Sequence, residues 1–405
     1  MKLVRNFAWM TASRLGAAVI QAVSLLLVAR QAGPAEFGVL AAFMGTIIVL
    51  QAIMDLGLPT FITKSRARSS EDQQVLRALQ LYGRIGIFLG LLLCLTGALF
   101  AGFYGQAWWW LIPLALAGWL ERQSDVRLTV ALADGDVWKI SLNLVVRRTA
   151  SLLLLLIGMN LEIEAVFAFG VASMLASVLS WFLSQKLVVL PGFTKKTAWN
   201  HSKEIIVASR AYWANSLGAQ LRNLDVLLVG LIGNPIAAGH YGAVARSIGP
   251  LRMVTASLAT VLLPAAVRRS GSRKDLLVPL MAVLGVMSVV YIILLIFAGD
   301  IILRLLGSEY VPATLAFQLM VGGLIFASLT SVLTPLLQAR GSQGVVGQLS
   351  ILFSILSLGG VALGTFYGGV SGAGLGLSIT YVLHSLVLSG VFLLTRKKEL
   401  EVRNV

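Results

Sequence analysis

Charge is scarce in this sequence. Of its 405 residues 12% are charged, where a soluble domain carries about 25%. Hydrophobic residues make up 58%, and the mean hydropathy is +0.87. With repeated apolar runs, this excludes an ordinary soluble domain and predicts a polytopic membrane protein. Cysteine is nearly missing. The single Cys94 excludes an intramolecular disulfide framework and a cysteine metal cluster; within "LGLLLCLTG" it reads as a lipid-phase or packing residue. His201, His240 and His384 lie far apart, against clustered metal or triad chemistry. No GxxxxGK[ST] loop occurs, so ATP is not hydrolysed by that route. No cofactor is expected.

What is there is apolar and periodic. The N-terminus "MKLVRNFAWMTASRLG" is basic then apolar, like a signal peptide. Its apolar stretch continues to Val28 with weak cleavage-site matches, so it reads as a retained first span. Spans of about 20 apolar residues fit twelve segments, at 6–29, 38–58, 79–103, 107–127, 138–158, 164–187, 206–231, 241–266, 276–298, 313–337, 345–366 and 372–394. The fourth ends least clearly, because "LERQSDVRLTVALADGDVWK" is polar and reads as a helix extending into the cytoplasm.

With the N-terminus placed inside, Lys and Arg fall on alternate loops, and the opposite side keeps Arg30 and Arg304 beside Glu36, Glu162, Glu164, Asp300 and Glu309. That is the positive-inside pattern for both termini in the cytoplasm. The formal net charge of +15 is therefore mostly topological, and no nucleic-acid partner is expected. The tail "TRKKELEVR" reads the same way, with anionic lipid heads as the alternative contact. "WWW" at 108–110 reads as an interfacial aromatic belt.

The chain repeats itself. "LGAAVIQAVSLLLVARQAGPAEFGVL" (15–40) matches "LGAQLRNLDVLLVGLIGNPIAAGHYGAV" (217–244) in its Leu-Gly-Ala start, apolar run, Gly/Pro turn and aromatic-Gly pair. Leu58-Pro59 and Leu263-Pro264 then precede basic clusters alike. Two six-helix halves follow: an N-terminal lobe at 1–190, a cytoplasmic linker at 191–205 and a C-terminal lobe at 206–405. Six is even, so the halves enter from the same side and are related by a pseudo-twofold axis along the membrane normal, around a central cavity.

The "GPAEFG" turn (33–38), "DLGLP" (55–59), "GSEYVPA" (307–313), "QARG" (338–341) and "GGVSGAGLG" (368–376) carry a resemblance. In their order and spacing the chain resembles the O-antigen-type oligosaccharide-lipid flippases of the multidrug/oligosaccharidyl-lipid/polysaccharide exporter superfamily. The resemblance implies two six-helix lobes with a V-shaped cavity. It also implies transport of undecaprenyl-diphosphate-linked oligosaccharide from the cytoplasmic to the outer leaflet of a bacterial inner membrane, with a polysaccharide polymerase or ligase as an associated partner.

Charges within the spans are the candidate site. They are Arg14, Asp55, Arg84, Arg147, Arg148, Arg210, Arg222, Asp225, Arg246 and Arg252. A charge at bilayer centre costs about 2.5–3.5 kcal/mol on insertion scales, so such residues face a bundle interior or a wet cavity. Eight arginines against two acids leave a cationic excess that a diphosphate would balance. Guanidinium suits that role because it forks onto phosphate oxygens and stays protonated. The alternatives are open at each position. Arg14, Arg84 and Arg210 are near enough to the cytoplasmic interface to snorkel. Asp55 can pair locally. Arg147 and Arg148 point about 100° apart. Arg222 and Asp225 share a helical face, as a salt bridge or as phosphate contact and cation site. Gly249-Pro250 bends span 8 between Arg246 and Arg252.

With no ATP site, an ion gradient is the expected energy source, H+ or Na+, with Asp225 and Asp55 as coupling candidates. Gln51, Asn143 and Gln318 read either as sugar contacts or as interhelical hydrogen bonds. "GGVSGAGLG" opens a membrane helix, where small residues allow close packing. A small-molecule antiporter of the same fold is the alternative function. A membrane-embedded glycosyltransferase is the third, weakened by short outer loops.

Overall fold

The computed structural model describes residues 2–68, 73–188, 202–251, 274–339 and 342–403. Among the described residues there is no strand, and thirteen α-helices follow one another: α1 Lys2–Met54, α2 Leu58–Arg68, α3 Gln73–Phe103, α4 Ile112–Ala133, α5 Val137–Asn160, α6 Ala165–Leu187, α7 Ser202–Gln220, α8 Asp225–Ile232, α9 Pro235–Ser247, α10 Lys274–Ile296, α11 Ala298–Leu305, α12 Thr314–Ala339 and α13 Gln343–Arg403. Short 3-10 turns cover Leu221–Leu224 and Ser308–Ala313.

The long spanning helices are apolar on their outer as well as their inner faces, which is the signature of a membrane bundle. In α3, Leu89, Gly90, Leu93 and Gly97 are buried against protein, while Phe88, Leu91, Leu95 and Leu99 point outward with no polar face to meet water. Six described stretches are long and apolar enough to cross a membrane, or seven if α10 and α11, bent by 74° at Phe297, count as one. The chain is a multi-pass membrane protein.

The helix list differs from twelve equal spans for local reasons. Spans 1 and 2 run together as α1, broken at Gly33 (φ 72°), whose positive φ is open to glycine and which Pro34 follows. Spans 11 and 12 run together as α13, broken at Gly368 and Gly369. Span 7 divides into α7 and α8. Helices α2 and α11 are too short to cross. Residues 252–273, which hold the end of span 8, lie outside the described residues, as does the linker up to residue 201.

The chain forms two compact units, Met1–Leu224 and Asp225–Val405. The lobe boundary expected at 191–205 lies earlier than this division. The reason is that α7 packs on α1, α2 and α3, so it belongs to the first unit. Gly57 (φ 73°) lets the turn after α1 press against α7: a Cβ there would lie 2.5 Å from the Ser209 carbonyl oxygen and from the Trp213 nitrogen. Trp213 Nε1 donates to the carbonyls of Ala52 and Ile53 at 3.1 and 3.0 Å. In the second unit α12 packs on α13, and α8 on α9 and α13.

Candidate functional site

Helix α4 carries the centre of the first unit's polar core. It continues without a break to Ala133, so Glu121, Arg122 and Asp125 lie within the helix. One turn apart, Glu121 and Asp125 share a face toward α5. Arg147 forms an ion pair through Nη2 with Glu121 Oε1 at 3.0 Å and donates through Nη1 to Asp125 Oδ1 at 2.9 Å. Arg148 donates through Nη2 to the same Glu121 Oε1 at 2.7 Å. Arg147 also reaches Ser180 Oγ at 3.4 Å, and its Nε is buried without a partner. On the other side of α4, Arg122 pairs with the buried Asp55, its Nε lying 3.0 Å from Oδ1 and its Nη2 bonding Oδ2. Tyr82 Oη donates to the same carboxylate at 2.8 Å.

This cluster draws Arg147, Arg148 and Asp55 together through three residues that the sequence reading left outside the site: Glu121, Arg122 and Asp125. They were missed because a polar stretch at the end of a span reads as cytoplasmic. The signal that marks them is the four-residue spacing of Glu121 and Asp125. Three acids face three arginines here, so Arg147 and Arg148, two of the eight arginines read from the spans, are compensated inside the first unit.

Around the cluster the helices are tied by uncharged pairs. Gln51 donates to the Gly118 carbonyl at 2.9 Å, Asn143 to the Ser180 carbonyl at 2.9 Å, and Ser13 to Ser141 at 2.8 Å. In the second unit Gln318 donates to the Leu295 carbonyl at 3.2 Å. Each of these glutamines and asparagines makes an interhelical bond.

The second unit has its own charged group. Asp225 opens α8, where its Oδ1 accepts the Val226 N–H at 2.8 Å and its Oδ2 accepts Tyr241 Oη at 3.1 Å. Arg246, half-buried near the end of α9, lies in the field of Asp225. Helix α9 starts at Asn234, whose side chain accepts the Ala237 N–H at 2.8 Å, and stops after Ser247, before Gly249-Pro250. His240 bonds the Glu309 carbonyl at 2.9 Å and meets Tyr310 edge-on.

The other candidates are spread out. Arg14 on α1, Arg84 on α3 and Arg210 on α7 are exposed side chains. Arg222 is exposed in the 3-10 turn, so the α-helical stacking expected of Arg222 and Asp225 is replaced by a tighter turn. Arg252 lies outside the described residues. Of the three tryptophans expected in an interfacial belt, Trp108 and Trp109 are exposed, while Trp110 is buried and donates to Glu164.

Ionic groups held among the helices of a multi-pass bundle mark a candidate functional site, because such charges are costly there. The comparisons with known proteins bear on the fold. A family model described as polysaccharide biosynthesis protein matches residues 3–113. The probable low-salt glycan biosynthesis flippase Agl15 of Haloferax volcanii is 20% identical over 403 residues, covering 96% of this chain and 84% of that one. Among solved structures, an inward-facing multidrug resistance MATE family transporter of the MOP superfamily matches with a TM-score of 0.76 at 14% identity, over 96% of both chains. The lipid II flippase MurJ in an inward closed conformation also matches at 0.76, with 12% identity, over 94% of this chain and 86% of that one. The resemblance read from the sequence is borne out in the fold, which the chain shares with that MATE family transporter and with the lipid II flippase MurJ.

Proposed function

We propose that this chain is a flippase that moves polyprenyl-diphosphate-linked oligosaccharide from the cytoplasmic to the outer leaflet for cell-surface polysaccharide synthesis. The observation that carries the reading is the charge of its membrane helices. Arg14, Arg84, Arg122, Arg147, Arg148, Arg210, Arg222 and Arg246 outnumber Asp55, Glu121, Asp125 and Asp225 among the described residues. Such a surplus of arginine suits a diphosphate headgroup, whose tail would stay in lipid while arginines compensate its charge. The full-length similarity to a glycan biosynthesis flippase supports the same substrate class.

In this reading the bundle has twelve crossings in two six-helix lobes around a central cavity, and works by alternating access. Helices α1 and α13, of 53 and 61 residues, are each long enough for two crossings about a glycine break. Both termini face the cytoplasm of a bacterial inner membrane, and the chain is a carrier rather than an enzyme. The driving force is an H+ or Na+ gradient, with Asp225 as the coupling carboxylate. Asp55, engaged by Arg122 and Tyr82, is the second candidate.

The test is transport in liposomes of a fluorescent polyprenyl-diphosphate oligosaccharide, read by an external sugar-hydrolysing probe. Wild type is expected to expose the sugar under a proton or sodium gradient. Arg222→Ala and Arg246→Ala are expected to slow it about tenfold or more, as loss of a charge-assisted phosphate contact does. The second reading, an ion-coupled multidrug antiporter, is favoured by the fold likeness to the MATE transporter. Wild type that moves a cationic dye and no lipid-linked sugar would establish it instead.

A further inference from the structure

Resting on the flippase reading, we propose that Glu121 is a placeholder anion, which occupies Arg148 until an oxygen of the substrate diphosphate takes its place. The geometry is asymmetric in a way that a plain structural ion pair does not require. A single oxygen, Glu121 Oε1, accepts a hydrogen bond from Arg148 at 2.7 Å and has Arg147 Nη2 beside it as an ion pair at 3.0 Å. Arg147 does not depend on it. If Glu121 moves away, Arg147 keeps Asp125 at 2.9 Å and Ser180 at 3.4 Å. Arg148 has Glu121 as its carboxylate among the described residues.

Access divides the pair the same way. The Arg147 side chain is 3% exposed and sealed among helices, whereas Arg148 is 20% and Glu121 25% exposed. Ionised groups open to hydrocarbon would be costly, so the open side of Glu121 and Arg148 is expected to face water. An anion arriving there meets Arg148 first.

The exchange is favourable in kind. A guanidinium offers two parallel N–H groups, which one shared carboxylate oxygen cannot satisfy and which the oxygens of a diphosphate can. One anion replaces another, so Arg148 is never left buried and uncompensated, the state that makes breaking such pairs expensive. The neighbouring acids are committed elsewhere. Asp125 holds Arg147, and Asp55 holds Arg122 and Tyr82, so they neither free Arg148 nor compete for it.

The experiment measures binding to the purified full-length protein in detergent, with farnesyl diphosphate as the lipid probe and inorganic diphosphate in a parallel arm. Glu121→Gln, nearly isosteric, is expected to bind farnesyl diphosphate about tenfold tighter than wild type by removing the competitor. Arg148→Gln is expected to bind about tenfold weaker or worse, and Arg148→Lys, which keeps charge and loses the fork, to fall between. The double variant Glu121→Gln/Arg148→Gln is expected to match Arg148→Gln, because Glu121 acts through Arg148. Glu121→Asp, with a shorter reach, gives the same direction as Glu121→Gln if the latter does not fold. The same order with inorganic diphosphate alone would show that the headgroup suffices.

Unchanged or weaker binding in a folded Glu121→Gln protein overturns the placeholder while leaving the flippase reading intact, provided wild type binds farnesyl diphosphate. Wild type that binds neither diphosphate overturns both.

Discussion

Asp55 and Asp134 each pair with an arginine, yet they differ in what the pairing is worth. The Asp55 side chain is 3% exposed and takes Arg122 and Tyr82 together. Asp134 is 35% exposed and meets Arg66 at 2.7 Å beyond the end of α4. Removing one partner of a buried pair strands the other, at about 3–5 kcal/mol, whereas an exposed pair is worth about 0–1 kcal/mol. We therefore expect Asp55→Asn to lower the thermal unfolding midpoint in detergent markedly and Asp134→Asn to leave it nearly unchanged. Equal midpoints for the two variants would mean that the Asp55 group does not hold α1, α3 and α4 together. Neither pairing was legible in the sequence. Arg122 stands 67 positions from Asp55, and Arg66 stands 68 from Asp134. Spacing rules relate residues on one helix. Partners on different helices become visible only when the helices are packed.

At the scale of elements, glycine breaks were readable and polar ones were not. The Gly33-Pro34 turn and "GGVSGAGLG" announce where α1 and α13 bend, because few other residues accept those backbone angles or that closeness. Within α13 the two segments press together: a Cβ on Gly364 would lie 2.1 Å from the Gly372 carbonyl oxygen, and one on Gly372 2.0 Å from that of Gly364. Gly368 has nothing within 4 Å of such a Cβ. Gly364→Val is therefore expected to cost about 1–3 kcal/mol or more by overpacking, and Gly368→Ala to be nearly silent. Thermal unfolding of both variants checks it; a silent Gly364→Val would mean the two segments separate freely. The break inside span 7 has a quieter signal. Asn223 turns its amide back to the Gln220 carbonyl at 2.9 Å, a local bond that competes with the α-helix. The run Gln220, Arg222, Asn223 and Asp225 carried that signal. Periodicity within a 26-residue apolar window hides it.

For the whole molecule, orientation decides what transport would mean, and the charge pattern makes it testable with one helix. Helix α5, Val137–Asn160, has 24 residues, about 36 Å at 1.5 Å per residue, which exceeds the roughly 30 Å of hydrocarbon. Its two flanks must then lie on opposite sides of the membrane. Asp136 precedes it beside Lys139, to which it is paired at 2.6 Å, and the exposed Ile163 follows it. The excess of Lys and Arg on Asp136's side predicts that this side is cytoplasmic. In a Cys94→Ala background, which removes the lone native thiol, Ile163→Cys is expected to react with a membrane-impermeant maleimide in intact cells. Asp136→Cys is expected to react only after the cells are opened. The reverse pattern would invert the topology and with it the direction assigned to the flippase. Labelling of both sites from one side would remove α5 as a crossing and, with it, the even count per lobe. In the proposed twelve-crossing reading, that even count is what would make the two halves parallel repeats, so a pair of cysteines tests the proposed symmetry as well as the orientation.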